Sequence, residues 1–574
     1  MLDHVVMHID LIPNRNSKPA VLLRQSYREG KKVRKRTLAN LSALPMDQVE
    51  AIRRVLKGEK LVPVHDLFEV IDSFHHGHVQ AVLTTLEQLG FARLLAARPC
   101  RERDLVVAMV AARVIEPHSK LATTRWWRTT TLPDRLGVAE AGEDDLYEAM
   151  DWLLARQSSI EKKLAARHLT HGGLVLYDLT SSYFEGKTCP LAALGHNRDG
   201  KRGKLQVNYG LLTDGRGCPV SVAVFRGNTN DPKTLLPQVH RVRTEFGVQS
   251  LVLIGDRGMI SQKQIDQLQD LEGMDWITAL RTEAIRELVE GGTIQMGLFD
   301  ERNLFEFTPP DFPNERLIAC RNPELAQLRA HKRRDLLAAT QQELERIHAM
   351  VARGRLHGQD AIGVRVGRVI NKYKVAKHFQ LSIQDRAFAF SIDEANVARE
   401  AALDGIYVIR TSLPRERLSA ADSVRAYKDL SKVERAIRSF KTIDLHVRPI
   451  HHHLEDRVRA HIFLAMLAYY VQWHMVEAWR SLLFHDEDQQ AKLTRDPVAP
   501  AHRSAAALAK AATQQLDDGS QVHSFRTLLK HLSKIVRNVC RRKGAAKTEP
   551  AFELYTTPDV KQQQAFDLIG AIKV

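Results

Sequence analysis

A chain of 574 residues, 44% of them hydrophobic, carries enough apolar material for several cores, so three or four domains are expected and a disordered chain is excluded. Its 84 Lys and Arg against 68 Asp and Glu give a net charge of +16, which points to a polyanion, nucleic acid ahead of an anionic membrane surface. The longest apolar run, Ile462 to Val471, falls far short of the roughly 20 residues of a membrane-spanning helix, no export signal opens the chain, and the five cysteines form no Cys-x-x-Cys pair, which argues against structural zinc and disulfides and for the cytoplasm.

Residues 1–45 read as a small basic β-rich module: strands Val5 to Ile9, Ala20 to Tyr27 and Lys32 to Leu38, the last two joined by a turn at Arg28-Glu29-Gly30-Lys31. The basic run that includes Lys32, Arg34, Lys35 and Arg36 suits phosphate contact without sequence reading; the alternative is a solvated hairpin. From 46 to 170 the apolar spacing is helical, over Gln48 to Leu56, Val79 to Ala97, Asp104 to Ile115 and Asp144 to His168, and suggests a helical DNA-binding domain. His75, His76 and His78 lack a Cys or a spaced acidic partner and read as a polar helix start.

At residue 173 the pattern changes. Gly173 to Gly186 reads as a buried strand with a carboxylate, Asp178, in its middle, where a charge needs a buried partner or a metal ion. Strands Lys204 to Thr213 and Cys218 to Phe225 come next, then a helix from Asn230, a strand Ser250 to Gly255 ending on Asp256-Arg257-Gly258-Met259, a helix Ser261 to Leu271 and a strand Trp276 to Leu280. The order β-β-β-α-β-α-β, with one carboxylate on the first strand and another at the end of the fourth, is that of a ribonuclease-H-like core: an α/β mixed sheet flanked by helices. Two neighbouring carboxylates repel unless a cation lies between them, and Mg²⁺ prefers such ligands.

Two ions need a further carboxylate. Strand Gly405 to Arg410 precedes a helical stretch, Ala421 to Lys441, in which Tyr427, Glu434 and Lys441 recur every seven residues and would share one face. Glu434 would sit between the apolar stripe of Leu430, Val433, Ile437 and Phe440 and the basic pair Arg435 and Arg438. It also fits a capping box with Ser431, or an ion pair with Arg438.

These residues resemble the DDE transposases of bacterial insertion sequences, in the branch signed Tyr-two residues-Arg-three residues-Glu-six residues-Lys. Tyr427, Glu434 and Lys441 match; Leu430 stands where the signature has Arg, and Lys428, Lys432 or Arg438 would have to replace it. Tyr177-Asp178-Leu179-Thr180-Ser181, Gly255-Asp256-Arg257-Gly258-Met259 and the trailing Arg448-Pro449-Ile450 with His461-Ile462 also resemble that family's blocks, and the resemblance covers about 173–475. It implies catalytic and metal-binding roles for Asp178, Asp256 and Glu434, with two Mg²⁺ ions that Mn²⁺ can replace. It implies DNA contacts at Tyr427, Lys441, Arg438 and Arg257, and double-stranded DNA, both element ends and target, as partner of a homodimer associated with the nucleoid. The implied reaction is hydrolysis at the element end and then attack of the freed 3′-hydroxyl on target DNA, without a covalent protein–DNA intermediate.

The domains expected from this reading are 1–45, 46–170, a catalytic core in two parts at 171–282 and 401–475, an insertion at 283–400, and a helical region at 476–574 with a basic section from Lys530 to Lys543. The insertion begins with short strands, Thr293 to Phe299 and Asn303 to Phe307, and continues as a long basic helix, Pro323 to Arg353; Phe299, Phe305, Tyr373 and Phe388 read first as core aromatics of the insertion, with stacking on a base as the alternative. Lys332, Arg333 and Arg334 are either a DNA-facing patch or a solvated face, and His451-His452-His453 reads as a basic turn. A metal-dependent nuclease of the same fold, and a DNA-binding regulator with an inactive core, are the two rival readings.

Overall fold

The computed structural model describes residues 6–15, 17–60, 67–299, 303–486, 488, 494–500, 502–544, 546 and 548–573. The chain forms two units: Met1–Phe74 with Val536–Thr556, and His75–Ile535 with Thr557–Val574.

In the first unit β1 (Val6–Ile12), β2 (Ala20–Glu29) and β3 (Lys32–Asn40) form an antiparallel sheet. Gly30, at φ +63°, makes the expected turn. The helix Met46–Leu56 covers the sheet and closes a small core of Ile9, Val21 and Val49. The basic hairpin divides in two. Arg34 pairs with Glu29 at 2.6 Å and Lys35 with Asp10 at 2.9 Å, while Lys32 and Arg36 are exposed and make no ion pair among the described residues. A strand absent from the sequence reading, β4 (Phe68–His75), forms a second sheet with Val536–Arg542 and Phe552–Tyr555. The last hundred residues are therefore not wholly helical; their basic section includes a strand.

The second unit opens with helices Gly77–Gln88, Phe91–Leu95, Arg101–Ile115, Glu143–Leu154 and Gln157–His168. Gly90, at φ +58°, splits the helix expected over Val79 to Ala97. Then comes an eight-stranded mixed sheet. Its strands are β5 (Gly173–Tyr183), β6 (Gln206–Asp214), β7 (Pro219–Arg226), β8 (Leu251–Ile254), β9 (Met274–Ala279), β10 (Leu304–Phe307), β11 (Arg316–Arg321) and, after the hairpin β12 (Phe379–Ile383) and β13 (Phe388–Ile392), β14 (Ile406–Thr411). The order is β10-β11-β14-β9-β8-β5-β6-β7, parallel only at β5–β8 and β8–β9. A Cβ on Gly210 would meet the Tyr177 hydroxyl at 2.0 Å, so glycine on β6 is what admits that ring beside Asp178.

Residues 304–321, expected in the insertion, instead widen the main sheet as β10 and β11. The rest of the inserted segment, helices Pro323–Ala352, Gln359–Ile370 and Glu394–Ala401 with the β12–β13 hairpin, closes a core of its own around Leu337, Leu344, Ile362, Val366 and Phe388. The helix Glu455–Ala478 is buried along nearly its whole length, from Val458 to Met475. No helix among the described residues is long and apolar enough to cross a membrane.

Glu161 anchors the helical layer to the sheet. Fully buried, it pairs with Arg241 and accepts the Val222 amide at 3.0 Å, and burial raises its carboxyl pKa against the pull of Arg241. Glu161→Ala removes both partners at once, and we expect it to cost about 3 kcal/mol, read as a lower melting temperature.

Candidate active site

Asp178 lies mid-way along β5. The parallel register pairs Leu176 with Ile254, so continuing it by two residues sets Asp256, just past the end of β8, level with Asp178 on the adjacent strand. The Asp256 carboxylate is held by its own turn, accepting the amides of Met259 at 2.7 Å and Gly258 at 3.1 Å. Asp178 accepts the Leu179 amide at 2.8 Å. Burial, then the charge of Asp256 and more weakly that of Glu434, push the Asp178 carboxyl up to about 7, while the Leu179 amide and Arg198 act the other way.

Glu434 arrives from the far side of the sequence. Its helix, Leu430–Arg438, packs its apolar face, including the buried Leu430, Val433 and Ile437, into the main core and leaves Glu434, Arg435 and Arg438 exposed. The long helix expected over 421–441 is broken: Ala420–Lys428 ends at Asp429, and Ser439–Ile443 is a π-helical turn. Tyr427 nevertheless returns to the carboxylates. Its hydroxyl pKa is pushed up to about 12 by burial, Asp256 and Glu434, against the opposing charge of Arg257, so it remains a proton donor.

Neither structural alternative for Glu434 holds. It forms no capping bond with Ser431 and no ion pair with Arg438 among the described residues. Asp256 and Glu434 thus both act electrostatically on Asp178 with no His or Cys among the three, a set of hard oxygen donors that fits a divalent cation such as Mg²⁺. Their ligand atoms are not drawn together within 4.8 Å.

Lys441 corrects the sequence reading. It is buried, not on a DNA-facing surface: its Nζ donates to Thr180, two residues beyond Asp178, at 3.1 Å and pairs with Asp199 at 2.5 Å, and Arg448 joins the same carboxylate. Of the substitutes for the missing signature Arg, Lys428 donates to the Val498 and Ala499 carbonyls and Lys432 to Asp429 and the Gly215 carbonyl; Arg438 alone is exposed and, among the described residues, unpaired. Leu430 itself is buried, where an Arg would be costly.

Two clefts flank the Asp256 turn. One, of about 760 Å³, is lined by Asp256, Arg257, Tyr427, Tyr373, Arg329 and Lys332. The other, of about 1010 Å³, is lined by Arg198, Lys233, Gly258, Lys263 and Arg281. Among the four aromatics of the expected insertion only Tyr373 lines the first cleft. Phe299, Phe305 and Phe388 pack within cores. Arg333 and Lys332 both line the cleft, but Arg333 is buried against Asp404.

The transposase DDE domain family matches residues 173–471, a span that holds all three carboxylates and more than half of the chain. The chain belongs to the DDE transposases. The IS1634 family transposase N-terminal domain matches residues 9–62 of the same chain, placing the transposase among those of insertion sequences, enzymes that cut and join DNA with divalent metal ions. A solved structure, the piggyBac transposase synaptic complex with hairpin DNA, is similar at 10% identity and a TM-score of 0.35, over 79% of this chain and 76% of that one. No curated protein sequence matches.

Two residues that sequence reasoning passes over, Arg198 and Asp199, bear on this candidate site. Both lie in the loop between β5 and β6. Arg198 pairs with Asp231 at 2.5 Å and lowers the Asp178 pKa; Asp199 gathers Lys441 and Arg448 and accepts the Tyr183 amide at 2.9 Å. The one available signal was a charged Arg-Asp pair inside a glycine-rich loop.

Proposed function

We propose that Asp178, Asp256 and Glu434 hold two Mg²⁺ ions, replaceable by Mn²⁺, in a ribonuclease-H-like core, and that this site both hydrolyses the element end and joins its 3′-hydroxyl to target DNA. The observation that carries the proposal is the parallel pairing of β5 with β8, whose register continued past Ile254 sets Asp256 level with Asp178, together with the charges of Asp256 and Glu434 acting on both Asp178 and Tyr427. The strand order β7-β6-β5-β8-β9, antiparallel and then parallel, supports the core assignment. When bound, the ions neutralise the scissile phosphate and make water or a 3′-hydroxyl nucleophilic near neutral pH.

The chain's own groups do the positioning. Tyr427 keeps its proton and donates a hydrogen bond to a phosphate oxygen, and Arg257 and Arg438, both exposed, neutralise the flanking backbone. Lys441 acts through Thr180 and Asp199, holding β5 and the Arg198 loop in register, and is a positioning residue. The division of labour is part of the same proposal: the small basic sheet with its covering helix Met46–Leu56 and the helices between Gly77 and His168 bind DNA, the core is the eight-stranded sheet including β10 and β11, and the protein acts as a homodimer on paired ends in the cytoplasm.

Purified protein, Mg²⁺, a labelled element end and a supercoiled target plasmid test the function. Cleaved and joined products support it; metal-dependent cutting without joining would instead make the protein a nuclease. The basic hairpin adds a separate expectation. A Lys32→Ala/Arg36→Ala variant should reduce the salt slope of non-specific DNA binding by about 2, and Arg34→Ala/Lys35→Ala by less, because those two are already paired to acids.

A further inference from the structure

Among the described residues, one group of side chains has metal-ligand chemistry outside the three carboxylates: His168, Cys218 and His474, whose ligand atoms all lie within 4.8 Å of one another. His168 ends the helix before β5, Cys218 closes the β6–β7 hairpin, and His474 belongs to the long buried helix, so three separate elements converge. Cys218 is fully buried and its Sγ faces His474 Nε2 at 4.0 Å. A tetrahedral zinc ion, with bonds of about 2.3 Å to sulfur and 2.0–2.1 Å to nitrogen, holds its ligand atoms roughly 3.5 Å apart. Closing these three onto an ion therefore takes small rotations and no backbone rearrangement.

Burial keeps the His474 and His168 rings unprotonated, and imidazole nitrogens with a thiolate are a zinc donor set; Arg216 and Arg167 add positive charge that an ion must outcompete. Burial also raises the Cys218 thiol, which means that an ion must displace its proton. His168 places Nε2 at 3.0 Å from the Tyr470 hydroxyl and Nδ1 at 3.2 Å from an Arg216 nitrogen. The Arg216 side chain is 63% exposed but pairs with Asp214 at 2.8 Å; binding an ion through Nδ1 requires it to leave His168, while the Tyr470 contact fixes the ring from behind. Asp214 is buried at the same hairpin, accepting the Cys218 amide at 2.9 Å and pairing with Arg216 at 2.8 Å, and Glu477 lies close enough to act on Cys218. A cavity of about 540 Å³ lined by His474, Glu477, Trp473 and Arg216 leaves a fourth position open to water or to Glu477.

We propose that His168, Cys218 and His474 form a binding site for a thiophilic divalent ion, zinc(II), that clamps the sheet to its helical layer. Val175 of β5 pairs with Asp214 at this end of the sheet, three residues before Asp178, so the ion would brace the strand that carries the first carboxylate without touching substrate. The inference stands apart from the catalytic reading and fails or succeeds independently of it.

Metal analysis and cobalt substitution of the full-length protein provide the test. The expected result is one zinc per chain after dialysis against metal-free buffer, and a sulfur-to-cobalt charge-transfer band on Co²⁺ loading. Cys218→Ser should abolish that band, His474→Asn should abolish or shift it, and Asp178→Asn should leave it intact, since a carboxylate site gives no such band. Strong chelators should lower the melting temperature of wild type but not of Cys218→Ser. Wild-type protein with substoichiometric zinc and no charge-transfer band would overturn the proposal even if no variant folds, as would a band that survives Cys218→Ser.

Discussion

Asp178→Asn is expected to lower both end cleavage and joining by about 10³-fold or more, since removing one preorganised charged group from a site of this kind costs on the order of 4 kcal/mol in the transition state. The same variant should be more stable, not less, when no metal is present. The folded carboxyl sits at about 7 because of burial and the charges of Asp256 and Glu434, against about 3.9 for an unfolded Asp. The native state thus retains a proton that the unfolded chain has lost. Metal-free stability falls as pH rises from about 4 to about 7 and stays low above that range. Asparagine escapes this loss. In chelator at pH 8 the variant should melt a few degrees above wild type, and the difference should shrink at pH 4 or on adding Mg²⁺, which relieves the repulsion in wild type alone. Differential scanning calorimetry at the two pH values reads both effects.

Glu434→Gln is expected to abolish cleavage to a similar degree while leaving the fold and DNA binding unchanged. Glu434 is exposed and makes neither a helix cap nor an ion pair among the described residues, so no stabilising contact is lost. Melting temperature and the affinity for an element end should match wild type, with cleavage lost. Were Glu434 only a helix-capping or ion-pairing residue, the pattern would reverse: stability would drop by a few tenths of a kcal/mol and cleavage would survive.

The parts of the site that were legible in the sequence have a physical reason for being so. Asp178 stood out because an apolar, β-branched run rarely carries a charge, and Asp256 because a second such run ended on it; their proximity then came from parallel pairing. Glu434 was found through seven-residue spacing, although the helix assumed there is interrupted at Asp429 and distorted after Arg438. The spacing matched, but the geometry is that of two short helices and a π turn, which is why Lys441 turns inward to Asp199 while Tyr427 stays at the site.

Long-range pairing left no local mark. Ser73 meets Asn538 across 465 residues, and nothing in Val536–Arg542 announces a partner strand so far back. Strands β10 and β11 read as part of an insertion because their antiparallel partner β14 lies beyond the inserted helices. Arg198 and Asp199 lie in a loop without periodicity, and Asp199 meets Arg448 across 249 residues. For the same reason the absence of Cys-x-x-Cys argued against zinc, while Cys218 finds His474 across 256 residues.

Iron-directed cleavage of the protein itself tests most directly whether the three carboxylates form one metal site. Fe²⁺ replacing Mg²⁺, with ascorbate and peroxide, generates hydroxyl radicals where it binds and cuts the backbone nearby. We predict cuts beside Asp178, Asp256 and Glu434 together, suppressed by excess Mg²⁺ and absent in Asp178→Asn. Cuts that spare Glu434, or that persist at all three segments in Asp178→Asn, would contradict a shared site and leave the three carboxylates without a common ion.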